Sequence, residues 1–349
     1  MNRSILNIAR TSLACPLGLY SQAAVAAMRA GISRFERFDE LNVTISRLAA
    51  LEPAASRGER MSALIRYAIS ETCQGMREFR LPCLPLFLAL PEAGSGAAFD
   101  EQTLIAALTH ELFSHMGLLL LLPSTGVTRR GRAGLFTALK SAARFLQQED
   151  VPAALVGAVD SLVDPQTLFE LAARGWLQGR ANLDGRIPSE AAGFFLVEAP
   201  QRRSSSESLA QVVVVEEEQD SASFCGVQAG DAINSAQGLT RIFRQLRRTF
   251  PLRADGVFSA QPGEGFWGRE FSYAYLRNVA LMPEPLRMET VGADIGDAGA
   301  AAGAAALLRA ITSMHPPKWS RHRALTSALV YGISDSGAIG ACLIASDPA

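Results

Sequence analysis

Short, uninterrupted apolar runs alternate along this chain with longer stretches in which apolar residues recur every three or four positions. The runs read as strands covered on both faces, the periodic stretches as amphipathic helices. The pattern predicts a strand over Ile5–Cys15, then a small-residue helix over Ser21–Gly31 with Ala24, Val25, Ala27 and Met28 on one face. A helix over Met61–Phe79 and a buried strand over Leu84–Leu90 follow. A helix over Gln102–Ser114 leads into the apolar run Gly117–Leu122, and an Ala- and Leu-rich helix over Leu135–Gln148 leads into a strand over Ala153–Val159. Gly193–Glu198 makes a further strand.

After the polar stretch QRRSSSES, residues 201–208, the pattern restarts. It predicts a strand over Val212–Glu216, a helix over Ser235–Arg248, a short strand over Gly256–Ala260 and a helix over Gly299–Thr312. Two strands, Ala328–Ile333 and Ile339–Ala345, close the chain. Strands interleaved with helices and covered on both faces are the mark of an α/β protein. The order of elements divides the chain into an N-terminal half, residues 1–200, and a C-terminal half, residues 209–349, joined by a linker over residues 201–208. Each half carries several strands with helices between them and a terminal strand pair, so a duplication is inferred from element order, the sequence similarity between halves being weak.

Composition narrows the classes. With 349 residues and 48% hydrophobic content, there is material for a large core and none of the signs of global disorder. A net charge of −1 gives no general attraction to nucleic acid or to an anionic membrane. Five cysteines at irregular spacing, without a CxxC pair, suit free thiols in a reducing compartment better than a disulfide framework or a zinc site. Cys15 and Cys342 read as core residues. His110 and His115 stand five apart, off the spacing of a helical metal pair, and His315 and His322 flank PPKW in a loop, so no metal site is expected. The N-terminal run is interrupted by Asn7 and Arg10 and reads as a first core strand rather than a signal peptide. The longest apolar run, Met116–Pro123, falls short of the roughly 20 residues that span a bilayer. A cytoplasmic protein is expected.

Several segments carry a family's wording. CPLGLYSQAAVAAMRAGISRF (Cys15–Phe35), ALVGAVDS (Ala154–Ser161), IPSEAAGFFLVE (Ile187–Glu198), IGDAGAAAGAAALLRAI (Ile295–Ile311) and YGISDSGAIGACLI (Tyr331–Ile344) resemble, in order and over nearly the whole chain, five motifs of the β-ketoacyl synthases, the condensing enzymes of the thiolase superfamily. The resemblance implies a thiolase-like fold: two similar halves, each with a five-stranded mixed sheet, layered α-β-α-β-α. It also implies a dimer in which the strand Ala153–Val159 pairs with its two-fold mate.

The resemblance fails where that family does its chemistry. Its members carry an acyl group on a cysteine at a helix N-terminus, and two histidines assist decarboxylation and stabilise the enolate. Here no cysteine lies between Cys83 and Cys225, and no histidine between His115 and His315. The matching positions hold Arg132 for the nucleophile, Gln261 for the first histidine and Asp297 for the second, with the usual lysine falling near Gly292. Arg132, with Arg129 and Arg130, reads either as an anion or interface site or as a plug in the former acyl pocket beside a solvated loop. An Arg132–Asp297 pair would be a structural substitute for Cys–His. Ser334, Asp335 and Ser336 occupy the turn that gates the acyl pocket in the family; a polar turn and a binding or nucleophilic role are both open there. PGEGFWGREF, Pro262–Phe271, reads as a loop that shapes a pocket wall.

Two functions therefore stand side by side. One is a non-condensing synthase-like subunit of fatty acid or polyketide biosynthesis that binds a carrier protein, an acyl chain or an active synthase, as chain-length-factor subunits do, although this chain is shorter than those. The other is an acyltransferase or hydrolase of thioesters with altered chemistry on the same scaffold. Homodimer and heterodimer with an active synthase are both open, and no cofactor is implied.

Overall fold

The computed structural model describes residues 4–74, 83–201, 208–318 and 323–346. The first half runs β1 (Leu6–Ala14), α1 (Ser21–Arg29), the hairpin β2 (Glu36–Phe38) and β3 (Val43–Ile45), α2 (Arg57–Gln74), β4 (Cys83–Ala89), α3 (Glu101–Met116), β5 (Leu119–Leu121), β6 (Val127–Thr128), α4 (Gly134–Gln148), β7 (Ala153–Ser161), α5 (Pro165–Ala173) and β8 (Glu190–Glu198). The second runs β9 (Ala210–Gln219), α6 (Phe224–Gln228), α7 (Gln237–Thr249), β10 (Val257–Ser259), α8 (Gly265–Arg277), β11 (Met288–Thr290), α9 (Gly292–Ile295), α10 (Ala302–Met314), β12 (Ser327–Ile333) and β13 (Ala338–Ala345). The predicted elements are all present in the described residues. The expected end of the second predicted helix, and residues 202–207 of the expected linker, lie outside them.

The two halves share one topology. Strand order is β1-β8-β7-β4-β5 in the first and β9-β13-β12-β10-β11 in the second. In each, the first three strands are antiparallel neighbours and the last three parallel ones. The sheets join edge to edge where Leu6–Ile8 of β1 pairs with Ala210–Val212 of β9.

Helices divide the apolar core into layers. Between the sheets lie α4 and α10, with Leu135, Phe136, Leu139, Leu307 and Ile311 buried against residues from both. Outside the first sheet α2 and α3 bury Leu64, Ile65, Leu104 and Leu108; outside the second α7 and α8 bury Leu239, Phe243, Trp267 and Phe271. The arrangement is the five-layer α-β-α-β-α of the thiolase-like fold. Cys15 and Cys342 are both buried, and β1, at the N-terminal end of the chain, is a central strand. No helix among the described residues is long and apolar enough to cross a membrane.

The symmetry reaches the starts of the two central helices. Each is entered through a short 3-10 turn, Gly131–Ala133 before α4 and Gly299–Ala301 before α10. Gly131 and Gly299 take φ of +49° and +52°, a left-handed conformation that side chains disfavour. A Cβ on Gly299 would also lie 2.0 Å from an Asp160 carboxylate oxygen. These glycines let the chain turn sharply enough to bring both helix starts to one point.

Two expectations need correction. The strand Ala153–Val159 is no free edge, because β7 is hydrogen-bonded by β4 on one side and β8 on the other. The outer edge of the first sheet is shared by β6 and β5, which pair with the two ends of β4, and its apolar part is β5. It comes from the apolar run Gly117–Leu122, and Leu119, Leu121 and Leu122 there are 55%, 42% and 43% exposed. The segment PGEGFWGREF is likewise only partly a loop: from Gly265 onward it is α8. Glycines at 263, 265 and 268 hide a periodicity that Phe266, Trp267, Phe271 and Ala274, all buried, supply.

Candidate functional site

The carboxyl ends of parallel strands are where open α/β sheets place ligands. Here the ends of β4, β10 and β12 converge on the starts of α4 and α10, which brings Glu92, Gln261, Glu264, Asp335, Arg132 and Asp297 to one place. Arg186, just ahead of β8, joins them. Apart from Glu92, each is at most 8% exposed.

Arg132 is the hub. Its Nη1 donates to both carboxylate oxygens of Asp297 at 3.2 and 3.0 Å, its Nη2 to Asp335 at 2.5 Å, and its Nε to the Ile333 carbonyl at 3.0 Å. Arg186 shares the same acids. It donates to Asp297 at 3.3 Å, to both oxygens of Asp335 at 2.7 and 3.1 Å, and to Glu264 at 3.2 and 3.3 Å. Aromatic rings close the top. The Arg132 guanidinium lies 5.2 Å from the Trp267 ring centre, and that of Arg186 lies 5.0 Å from both Trp176 and Phe224. The Trp267 indole N–H donates to Glu264 at 2.7 Å, which fixes ring and acid together.

The gating turn is tied down from below. Glu92 accepts from the backbone N–H of Asp335 at 2.9 Å and of Ser336 at 3.2 Å. Ser334 is fully buried, its hydroxyl accepting from the Ala338 N–H at 2.9 Å and paired with the Ser336 hydroxyl at 3.0 Å. Among the described residues the Ser334 hydroxyl bonds only within the turn and meets no imidazole that could act as its base. Gln261 accepts from the Ile333 N–H at 2.7 Å, so Gln261 and Arg132 grip the two sides of one peptide residue. The other amide atom of Gln261, Nε2, is buried with no partner among the described residues. Arg129 and Arg130 stay outside this cluster. Arg129 lies over Phe99 and donates to the Pro91 carbonyl, while Arg130 donates to the Glu218 carbonyl.

Electrostatics follow from the count of charges: two guanidinium groups face the four carboxyls of Asp297, Asp335, Glu92 and Glu264. Burial alone would raise Asp335, but Arg132 and Arg186 outweigh it and hold that carboxyl well below the usual range. Glu92 is pushed up by burial and by the charge of Asp335. Burial also pushes Glu264 up, although Arg186 opposes it. The excess of carboxyls over guanidiniums thus weighs on the two glutamates, whose charged forms are disfavoured, while the arginines favour the charged form of Asp335. The guanidiniums are held in the charged form, burial being overcome by Asp297 and Asp335 at Arg132, and by Asp335, Glu264 and Asp297 at Arg186. Around the cluster two further buried pairs, Arg57–Asp160 at 2.8 Å and Arg60–Glu190 at 2.7 Å, anchor the acids of the ALVGAVDS and IPSEAAGFFLVE motifs.

Little space is left. The cavity bounded by Glu92, Arg132, Asp160, Arg186, Gly299 and Asp335 measures about 10 Å³, at the lower limit for one water. Arg186 and Glu92 were not singled out from sequence, whereas Glu264 belongs to the segment read as shaping a pocket wall. Arg186 directly precedes the IPSE motif and Glu264 lies within PGEG, so position beside a motif was the available signal.

No family model matches the chain, and no curated protein matches it by sequence. Solved structures do. The chain is similar to the ishigamide ketosynthase/chain length factor, with a TM-score of 0.71 and 17% identity over 98% of this chain and 99% of that one. The fold is that of the ketosynthases. A TM-score of 0.78 at 11% identity, over the full length of both chains, relates it to the AntDE:AntF complex, a type II polyketide synthase acyl-carrier protein with its ketosynthase bound to the hexaketide. The ketosynthase from module 6 of the bacillaene synthase of Bacillus subtilis 168 gives 0.72 at 12% identity, over 98% of this chain and 72% of that one. At such identities the ketosynthase likeness establishes architecture, and the side chains must be argued from their own geometry.

Arg132→Ala should lower stability by roughly 3–5 kcal/mol, because Asp297 and Asp335 would keep their burial and lose a partner. Denaturant unfolding measures this, and a variant that unfolds like the wild type would sink the idea of a buried structural pair. A second prediction concerns Glu270 on α8, 3% exposed, whose carboxyl is pushed up to about 8 by burial and by Asp220. Folding then takes up a proton between the ordinary 4.5 and about 8, so stability should fall as pH rises through that window. Glu270→Gln should flatten the curve and gain on the order of 3 kcal/mol at pH 9.

Proposed function

We propose that this chain is a catalytically inactive, ketosynthase-like subunit that binds without condensing: an accessory to an active synthase, to a carrier protein or to an acyl chain. One observation carries the reading. Arg132 stands at the start of α4, where a condensing enzyme of this fold would carry its nucleophilic cysteine, and its guanidinium is spent on Asp297 and Asp335. Gln261 and Asp297, at the places of the two histidines, hold backbone and arginine instead. A helix N-terminus that would lower a thiol's pKa here abuts a cation locked between carboxylates. Neither a carboxylate that is already paired nor an amide can supply an imidazole's proton traffic near pH 7.

The neighbours supply the context for a partner. One is described as a ketosynthase/chain length factor and another as a ketosynthase with its acyl-carrier protein, and either association suits a chain whose own site is filled. The surface offered is the β5 edge. A strand paired on one side only, with three exposed leucines, is a liability unless another chain covers it. The association is accordingly a homodimer or a heterodimer with an active synthase, made through β5.

Incubation with a labelled acyl thioester or malonyl-carrier protein, followed by intact mass measurement, should show no covalent acyl adduct and no decarboxylation. A stable adduct within residues 122–135 would overturn the inactive reading. Light scattering at micromolar concentration should give a dimer that Leu119→Glu/Leu121→Glu converts to monomer. A monodisperse wild-type monomer would count against the homodimer and leave a heteromeric partner.

A further inference from the structure

A second cavity lies far from the cluster, where α1 leans on α10 at the border of the central layer. It measures about 550 Å³, within the range of roughly 300–1,000 Å³ typical of small-molecule sites. Val25, Leu308 and Ile311 form an apolar floor, with Ala26, Ala30 and Leu209 along the sides. The lining is mostly hydrophobic, yet its two basic groups gather at one end, where the last turns of α1 and α10 meet. Arg29 belongs to the last turn of α1, and one of its Nη atoms donates to the Thr312 carbonyl at 2.5 Å. His315 is the residue that caps α10, and its Nε2 donates to the Leu209 carbonyl at 2.6 Å, leaving Nδ1 uncommitted by that bond.

The charge of Arg29 is not neutralised within the described residues. Its neighbour Arg309 takes Glu289 at 2.7 Å, while Arg29 donates to the neutral Thr312 carbonyl. Burial and the charge of Arg309 hold the Arg29 guanidinium below its ordinary range, only partly offset by Glu289. The opposite end, at Ser21, has no basic side chain among the described lining residues. There the Ser21 N–H and hydroxyl are both bound by Glu71. The cavity therefore has an apolar floor and carries its basic groups at one tip, with Thr11, Ser21, Gln22 and Thr312 as uncharged polar lining.

We infer that this cavity binds a straight-chain monocarboxylate, the chain lying along Val25, Leu308 and Ile311 and the carboxylate meeting Arg29 and His315. The guanidinium matches the two acceptor oxygens of a carboxylate, and His315, whose Nε2–H is held by the Leu209 carbonyl, adds a donor from Nδ1 in its imidazolium form. The apolar floor accounts for an alkyl tail, and the remaining polar lining is uncharged. The site is separate from the Arg132 cluster and stands whether or not that cluster is inert.

Decanoate titrated into the full chain by isothermal calorimetry, with decanol, decylamine and decyl phosphate as comparison arms, tests the assignment. Decanoate should bind saturably at one site and more tightly than the other three. Ala26→Trp, which fills the cavity from an exposed helix position, should abolish binding without changing the melting temperature. Arg29→Gln should weaken decanoate roughly tenfold or more while changing decanol by less than about twofold, the difference reporting one charge-assisted bond. Absence of saturable binding, or unchanged binding by Ala26→Trp, overturns the site. Equal affinity for decanol or decylamine, or tighter binding of decyl phosphate, overturns the carboxylate assignment.

Discussion

Asp335 holds two guanidinium groups at once, and the centre of the molecule is arranged around that fact. A lone buried arginine is costly, and two side by side repel each other. Both are tolerated because Asp335 and Asp297 lie between them, with Glu264 beyond Arg186. The start of α4 carries partial positive charge, so the helix dipole works against Arg132. The acids outweigh it. Asp297 also accepts the backbone N–H of Gly299, and Asp160, the partner of Arg57, that of Ala300, so two ion-paired acids hold the turn that leads into α10.

The consequence is a centre that is rigid by construction. Removing either arginine leaves Asp297 and Asp335 buried with one guanidinium in place of two, and removing Asp335 takes a carboxylate from both cations at once. Glu92 extends the constraint to the turn at residues 334–337, whose backbone it grips from the opposite half of the molecule. A turn anchored this way cannot swing aside to admit a chain without breaking bonds in a space of about 10 Å³. Filling and fastening thus come from one set of side chains.

The fold was legible in sequence to the extent that apolar period and length determine it. Strands such as Ala153–Val159 and helices such as Leu135–Gln148 carry uniform local signals, and the duplicated order of elements follows from them. Strand neighbours are not written locally, which is why β7 was mistaken for an edge. The run at Leu119–Leu122 has the composition of a buried strand and is an exposed one, since composition cannot tell coverage by this chain from coverage by another. At the site, Arg132, Gln261, Asp297 and Asp335 were found because motifs fix their places. Arg186, Glu264 and Glu92 sit on loops without periodicity, and only the folded chain shows which acid each arginine meets.

The central helices bear on how such a chain is made. The strands of the first sheet are complete once residue 198 has been synthesised, but the inner face of α4 packs against β9 and β13 of the second half. α10, the companion of α4 in that layer, follows about a hundred residues after β8. Until it emerges, Leu135, Phe136 and Leu139 have half of their cover. A first half made without the second therefore presents a broad apolar face, which the second half covers when it folds against it.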